Sequence, residues 1–141
     1  MSKTESCKAR WREHKSSRLS DLYKLWKAEY AGVEDGVPDL GTLNEYGLCF
    51  DYVMPDNPNR PAYWRWQLSC GGPSDELRFF ANSPTDMRKG CWAIEYWLLD
   101  WWDGHGRRLV GKDLELLQDI WAGFFVECGA AEFAYKKEME G

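Results

Sequence analysis

The chain has 141 residues, of which 44% are hydrophobic and 16% aromatic, with nine Trp, seven Tyr and six Phe. That length suits one domain, and rings that bury roughly 150–250 Å² each supply ample material for its core. The formal net charge is −5, the excess of acids in residues 34–141 makes that part a poor holder of nucleic-acid phosphates, and no apolar run approaches the ~20 residues that cross a bilayer.

The charge is unevenly spread. Residues 1–33 hold eight Lys/Arg against four Asp/Glu, whereas residues 34–141 hold ten against nineteen. A basic, helical amino-terminal segment is thus joined to an acidic body within one domain (1–141). Residues 1–7 lack the apolar stretch of a secretory signal, so a soluble, intracellular protein is expected.

Residues 7–31 are predicted to form a helix. Leu19, Leu22, Tyr23, Trp26 and Tyr30 recur at three- and four-residue steps and share one face, and Gly32 provides a cap. The basic run from Lys8 to Lys15 reads as a solvated face. Gly, Pro and Asp make residues 34–42 a loop. In residues 43–54, Tyr46, Leu48, Phe50 and Tyr52 alternate with Glu45, Gly47, Cys49, Asp51 and Val53, as in a strand with one side on a core. The prolines of residues 55–61 end it.

A second strand follows, with Trp64, Trp66, Leu68 and Cys70 opposite Tyr63, Arg65, Gln67 and Ser69. The turn residues 71–76 lead to a third strand near residues 77–81, and residues 82–90 form a loop. In a fourth strand, residues 91–100, Trp92, Ile94, Tyr96 and Leu98 face away from Ala93, Glu95, Trp97 and Leu99. Apolar residues on both sides suggest a central place in the sheet. Residues 103–108 read as a connection to a second helix at 112–127, whose buried stripe is Leu114, Leu117, Ile120, Trp121, Phe124 and Phe125. Gly129 closes that helix, and residues 130–135 read as a short added strand. The fold class is α+β: an antiparallel meander of about four strands, flanked by an N-terminal and a C-terminal helix on one face.

The cysteines, Cys7, Cys49, Cys70, Cys91 and Cys128, form no C-x-x-C pair, so each reads as a small buried hydrophobe. Neither a metal, a disulfide nor a cofactor is expected. Gly104-His105-Gly106-Arg107-Arg108 has the glycines and cations of a phosphate-holding loop, but also those of a simple turn. Asp100, Asp103 and His105 have the residue types of an acid/base group, and Glu45, Asp51 and Glu95 those of paired carboxylates. Ser74 sits in Gly-Gly-Pro-Ser-Asp, which is not a nucleophile elbow. A binding protein without catalytic residues is therefore expected. Among the tryptophans, Trp64, Trp66 and Trp92 fall on core-facing sides, leaving Trp97, Trp101 and Trp102 for the surface.

The strings Gly71-Gly72-Pro73-Ser74-Asp75-Glu76 and Tyr96-Trp97-Leu98-Leu99-Asp100-Trp101-Trp102-Asp103-Gly104 resemble a family of small proteins of unassigned function encoded on bacterial phages, plasmids and mobile elements. The resemblance covers residues 43–128 and implies a mobile element's accessory protein in a bacterial cytoplasm. With the acidic body it suggests, by type, an inhibitor of host defence such as an anti-CRISPR or anti-restriction protein. The expected partner is a host protein with a basic, nucleic-acid-binding surface. It would be met, as a DNA mimic meets it, through Glu45, Asp51, Asp75, Glu76, Glu95, Asp100 and Asp103, with Trp97 or Trp102 as anchor. The alternative is a nucleic-acid-binding accessory protein using residues 1–33 with Arg107 and Arg108. A small enzyme around Asp100, Asp103 and His105 comes third.

Overall fold

The computed structural model describes residues 6–55, 58–83 and 85–141; residues 1–5 of the basic segment, two residues of the Pro-rich break and one of the 82–90 loop lie outside it. Helix α1 spans Cys7–Tyr30. Its N-cap Ser6 accepts from the Ala9 amide at 3.2 Å, and Gly32, at φ +75°, turns the chain out of it. Cys7, Leu19, Leu22 and Leu25 are buried, whereas Tyr23 and Tyr30, expected on the core side, are exposed. The helix is rolled so that aliphatic groups meet the sheet and the phenol hydroxyls stay in water.

A single turn, α2 (Leu43–Tyr46), replaces the start of the first predicted strand. The Thr42 amide and hydroxyl both donate to Glu45 Oε1, at 3.1 and 2.9 Å, and this reciprocal cap outweighs the alternation there. The sheet then runs through β1 (Cys49–Val53), β2 (Tyr63–Ser69), β3 (Pro73–Ala81), β4 (Cys91–Asp100) and β5 (Asp103–Arg108). All neighbours are antiparallel, in the order β1-β2-β3-β4-β5. The meander is as expected, with one strand more than four.

The extra strand is β5, which the sequence reading makes a loop. Its glycines are where β4 side chains lie across it: a Cβ on Gly106 would stand 2.0 Å from Trp97 Cε2, and one on Gly104 2.9 Å from Leu99 Cδ2. The strand therefore has no apolar alternation of its own. It also leaves β3, not β4, in the middle of the sheet.

Helix α3 (Gly111–Ile120) continues into a π-helical turn, Trp121–Val126, and Gly129, at φ +84°, separates it from α4 (Ala130–Glu140). The tail is thus a helix rather than a short strand, in keeping with its Ala, Glu and Lys content. The helices cover one face of the sheet. Over β4 and β5, the Trp11 indole of α1 donates to the Tyr96 carbonyl at 2.8 Å. In the middle, Trp121 packs edge-on to Trp64 and stacks on Phe79, both at 5.3 Å. At the far side, Tyr135 of α4 meets Tyr52 at 5.0 Å, and Trp64 Nε1 donates to the Ala131 carbonyl at 2.9 Å. Trp64, Trp66, Ile94, Leu117 and Trp121 share one core, with Phe50 packed against it.

Only Cys7 and Cys91 are buried; Cys49, Cys70 and Cys128 are exposed, contrary to the expectation for all five. Cys70 falls just past the end of β2, where its side chain no longer follows the strand's alternation. Among the described residues, no helix is long and apolar enough to cross a membrane.

Candidate functional site

The seven carboxylates singled out from the sequence are all engaged within the chain. Asp75 is 3% exposed on the helix-covered side of β3. It receives Arg18 Nε at 2.7 Å and Nη2 at 3.1 Å, the Tyr96 hydroxyl at 2.6 Å, and the Ser69 hydroxyl. Burial alone pushes its carboxyl up, but these donors outweigh burial and hold it below the usual carboxylate range. Arg18 Nη1 also donates to the Tyr46 hydroxyl at 3.0 Å, which in turn donates to Asp21 at 2.7 Å. Burial with the Asp21 contact raises the Tyr46 phenol to about 12.

Glu76 is also buried, on the opposite face, and takes Arg78 Nε at 2.8 Å. Asp51 pairs with its cross-strand neighbour Arg65 at 2.6 Å, and Glu95 accepts from Trp97 Nε1 at 2.8 Å. Asp100 holds Arg10 at 2.8 Å. Asp103 accepts from the Cys7 amide at 2.7 Å, which lowers its carboxyl below the usual range and caps α1 from across the fold. Glu45 caps α2, as above. Asp75 and Glu76 are thus withdrawn from the surface, and the others meet solvent already partnered.

The face of the sheet away from the helices is open, and the strand register lays out its chemistry. One row crosses all five strands as Asp51, Arg65, Arg78, Glu95 and Arg108. The Trp97 ring lies over Gly106, and the Arg78 guanidinium sits 4.1 Å from its centre and 4.9 Å from that of Tyr63. A register shift opposite Phe80 and Ala81 makes Trp92 an extra residue in β4. The bulge turns Trp92 out of the predicted core side: it is 49% exposed, 5.1 Å from the Phe80 ring, with Arg108 5.3 Å above it. Between this bulge and residues 53–55 and 60–63 lies a cleft of 620 Å³, walled by Tyr63, Phe80, Trp92 and Trp97, with Arg78, Glu95 and Arg108 at its margin. Among the described residues no carboxylate pairs with Arg108.

The β4–β5 hairpin closes with the two-residue loop Trp101-Trp102 between the paired Asp100 and Asp103. The indoles are 82% and 100% exposed, and Trp101 holds φ at +55°, where a side chain crowds its own backbone. Trp101→Gly is therefore expected to stabilise the fold by about 0.5–1 kcal/mol, the strain relieved outweighing glycine's extra freedom when unfolded. A fall in the unfolding midpoint would show that the indole packs.

Asp100, Asp103 and His105 lie together beside the start of α1, each with a contact of its own. The two carboxylates are committed to Arg10 and the Cys7 amide, and His105 lies edge-on to Trp11 at 6.0 Å. Ser74 lies in β3, on a regular strand. Arg107 faces the helix side, beside Arg12 and Lys15. Among the described residues no three His, Cys, Asp or Glu side chains gather as metal ligands do. Sequence reasoning missed Tyr63, Arg78, Phe80 and Trp92 as one group. The polar side of β2 was the available signal, but the bulge that brings Trp92 over has none. The chain matches no family model, no curated protein and no solved structure.

Proposed function

We propose that this chain is a non-enzymatic binding protein whose open sheet face engages a negatively charged partner. The observation that carries the reading is the pairing of charges. Every carboxylate expected to mimic nucleic acid already has a partner, whereas Arg108, beside an exposed ring and a cleft, forms no ion pair among the described residues, its cross-strand neighbour Glu95 being held by the Trp97 indole. A mimic of DNA phosphates needs carboxylates free to meet cations, so inhibition by acidic mimicry has less support than capture of an anion. The commitment of Asp100, Asp103 and His105 to separate contacts supports a role without catalysis. The proposed setting is a bacterial cytoplasm, as the resemblance to mobile-element proteins suggests.

The test is retention on an immobilised polyanion, such as heparin, at low salt. Wild type should be retained and elute as salt rises, while Arg108→Glu should flow through with an unchanged unfolding midpoint. A wild type that ignores the polyanion would overturn the reading.

A further inference from the structure

The chemistry of the cleft narrows the anion. Resting on the anionic-partner reading, we infer that the cleft holds one nucleotide of a single-stranded nucleic acid, its base against Trp92 and its phosphate on Arg108.

Two independent features meet there. The first is the rings. Some nucleic-acid-binding modules use an open antiparallel sheet whose aromatics stack unstacked bases, since every base offers a flat face to an aromatic one. Trp97 does not serve, because Gly106 backs one side of its ring and Arg78 covers the other. Tyr63 shares that same guanidinium. Trp92, raised out of the sheet by the bulge, is half exposed even with Phe80 beside it and the Arg108 guanidinium 5.3 Å from its centre. That is a looser approach than the 4.1 Å of Arg78 over Trp97, so a base that draws Arg108 onto its phosphate finds ring area there.

The second feature is the cation. Arg78 is pinned by Glu76 and two rings, so its charge is compensated in place and its Nε is not a free donor. Arg108 ends β5 with its guanidinium 5.3 Å from the Trp92 ring, and its planar fork suits two phosphate oxygens at once. A base and its phosphate are an adjacent ring and anion, as Trp92 and Arg108 are an adjacent ring and cation.

Size and net charge set the extent. A cleft of 620 Å³ suits one small unit. The chain's charge of −5 opposes anion contacts beyond the cleft, so only one or two phosphates are neutralised and polyanion binding is confined to low salt. A carboxylate side chain alone would satisfy Arg108 yet give Trp92 nothing to stack on.

The test uses the full chain and fluorescently labelled ten-nucleotide oligothymidylate and oligouridylate, followed by anisotropy at several salt concentrations. A labelled duplex of the same length and polyglutamate serve as competitors. Binding of either single strand is expected, with a log–log salt slope of about −0.7 to −1.4, the value for one or two phosphates. Trp92→Ala should weaken it about tenfold or more, Trp92→Phe should restore most of it, and Arg108→Glu should abolish it. Both side chains lie at the surface, and Arg108→Gln with unfolding midpoints for all variants separates lost contacts from lost fold. Failure of both single strands to bind overturns the inference, as does an unaltered affinity in Trp92→Ala. If polyglutamate binds through Arg108 without needing Trp92, the nucleotide is wrong while the anionic-partner reading stands. If heparin is also ignored, both fall.

Discussion

Trp121→Ala is expected to cost about 3–5 kcal/mol, the range for emptying a large aromatic site in a core. Trp121 is fully buried where the helices meet the middle of the sheet. It contacts Trp64 and Phe79, and its Nε1 donates to the Met87 carbonyl at 3.0 Å, holding the segment before β4. The variant loses all three together. Thermal unfolding should fall by on the order of 10 °C, with Trp121→Phe recovering the packing but not the hydrogen bond. Trp102→Ala, at the fully exposed hairpin tip, should move it by no more than about 0.5 kcal/mol. If Trp121→Ala behaved like Trp102→Ala, the helices would not be packed on the sheet as described.

Asp75→Asn is expected to cost about 3 kcal/mol. The substitution keeps the shape but removes the charge that Arg18, Tyr96 and Ser69 all address, leaving a guanidinium half out of water beside a poor acceptor. The lower end of the range for broken buried pairs applies, because the Arg18 side chain keeps 26% of its exposure. Acid sensitivity gives a second readout. The folded state holds the Asp75 carboxyl below its unfolded value of ~3.9, so the unfolded state takes up the proton first as pH falls. The stabilisation is complete above that value and is lost as pH drops through the lower, folded one. Urea unfolding between pH 6 and the acid limit, roughly pH 2, should show a shallower acid decline in Asp75→Asn than in wild type. Parallel declines would show that other carboxylates set the acid limit.

The strands were legible where core and solvent alternate along a regular ladder. Tyr52, Trp64, Trp66, Ile94, Tyr96 and Leu98 all face the helices as the two-residue period requires. Legibility failed where the reason lies in another part of the chain. Gly104 and Gly106 make no pattern until Leu99 and Trp97 are laid over them. Trp92 keeps the strand period in the sequence and breaks it in space, because one unpaired residue reverses the side on which a ring emerges. The acids were countable, but their partners were not visible. Asp75 meets a residue 57 positions away and Asp100 one 90 positions away, and local charge density carries no trace of either. A surface judged from composition was therefore more negative than the one that folding leaves exposed.

The attachments of α1 bear on how the chain comes to fold. Arg18 reaches Asp75, Trp11 reaches Tyr96, Arg10 reaches Asp100, the Cys7 amide reaches Asp103 and Lys15 reaches Asp113, across 57 to 98 positions. A lone helix of this length is marginal in water, and closing such distances costs chain entropy before any contact repays it. On a ribosome adding ~5–20 residues per second, the last of these partners emerges roughly 5–20 s after α1 itself. Until the strands between Cys49 and Arg108 follow, Leu19, Leu22 and Leu25 have no sheet to cover them, and chains cut short before Asp113 never acquire the full set. Helix α1 thus waits for partners made well after it, and the nascent chain is open to aggregation during that wait.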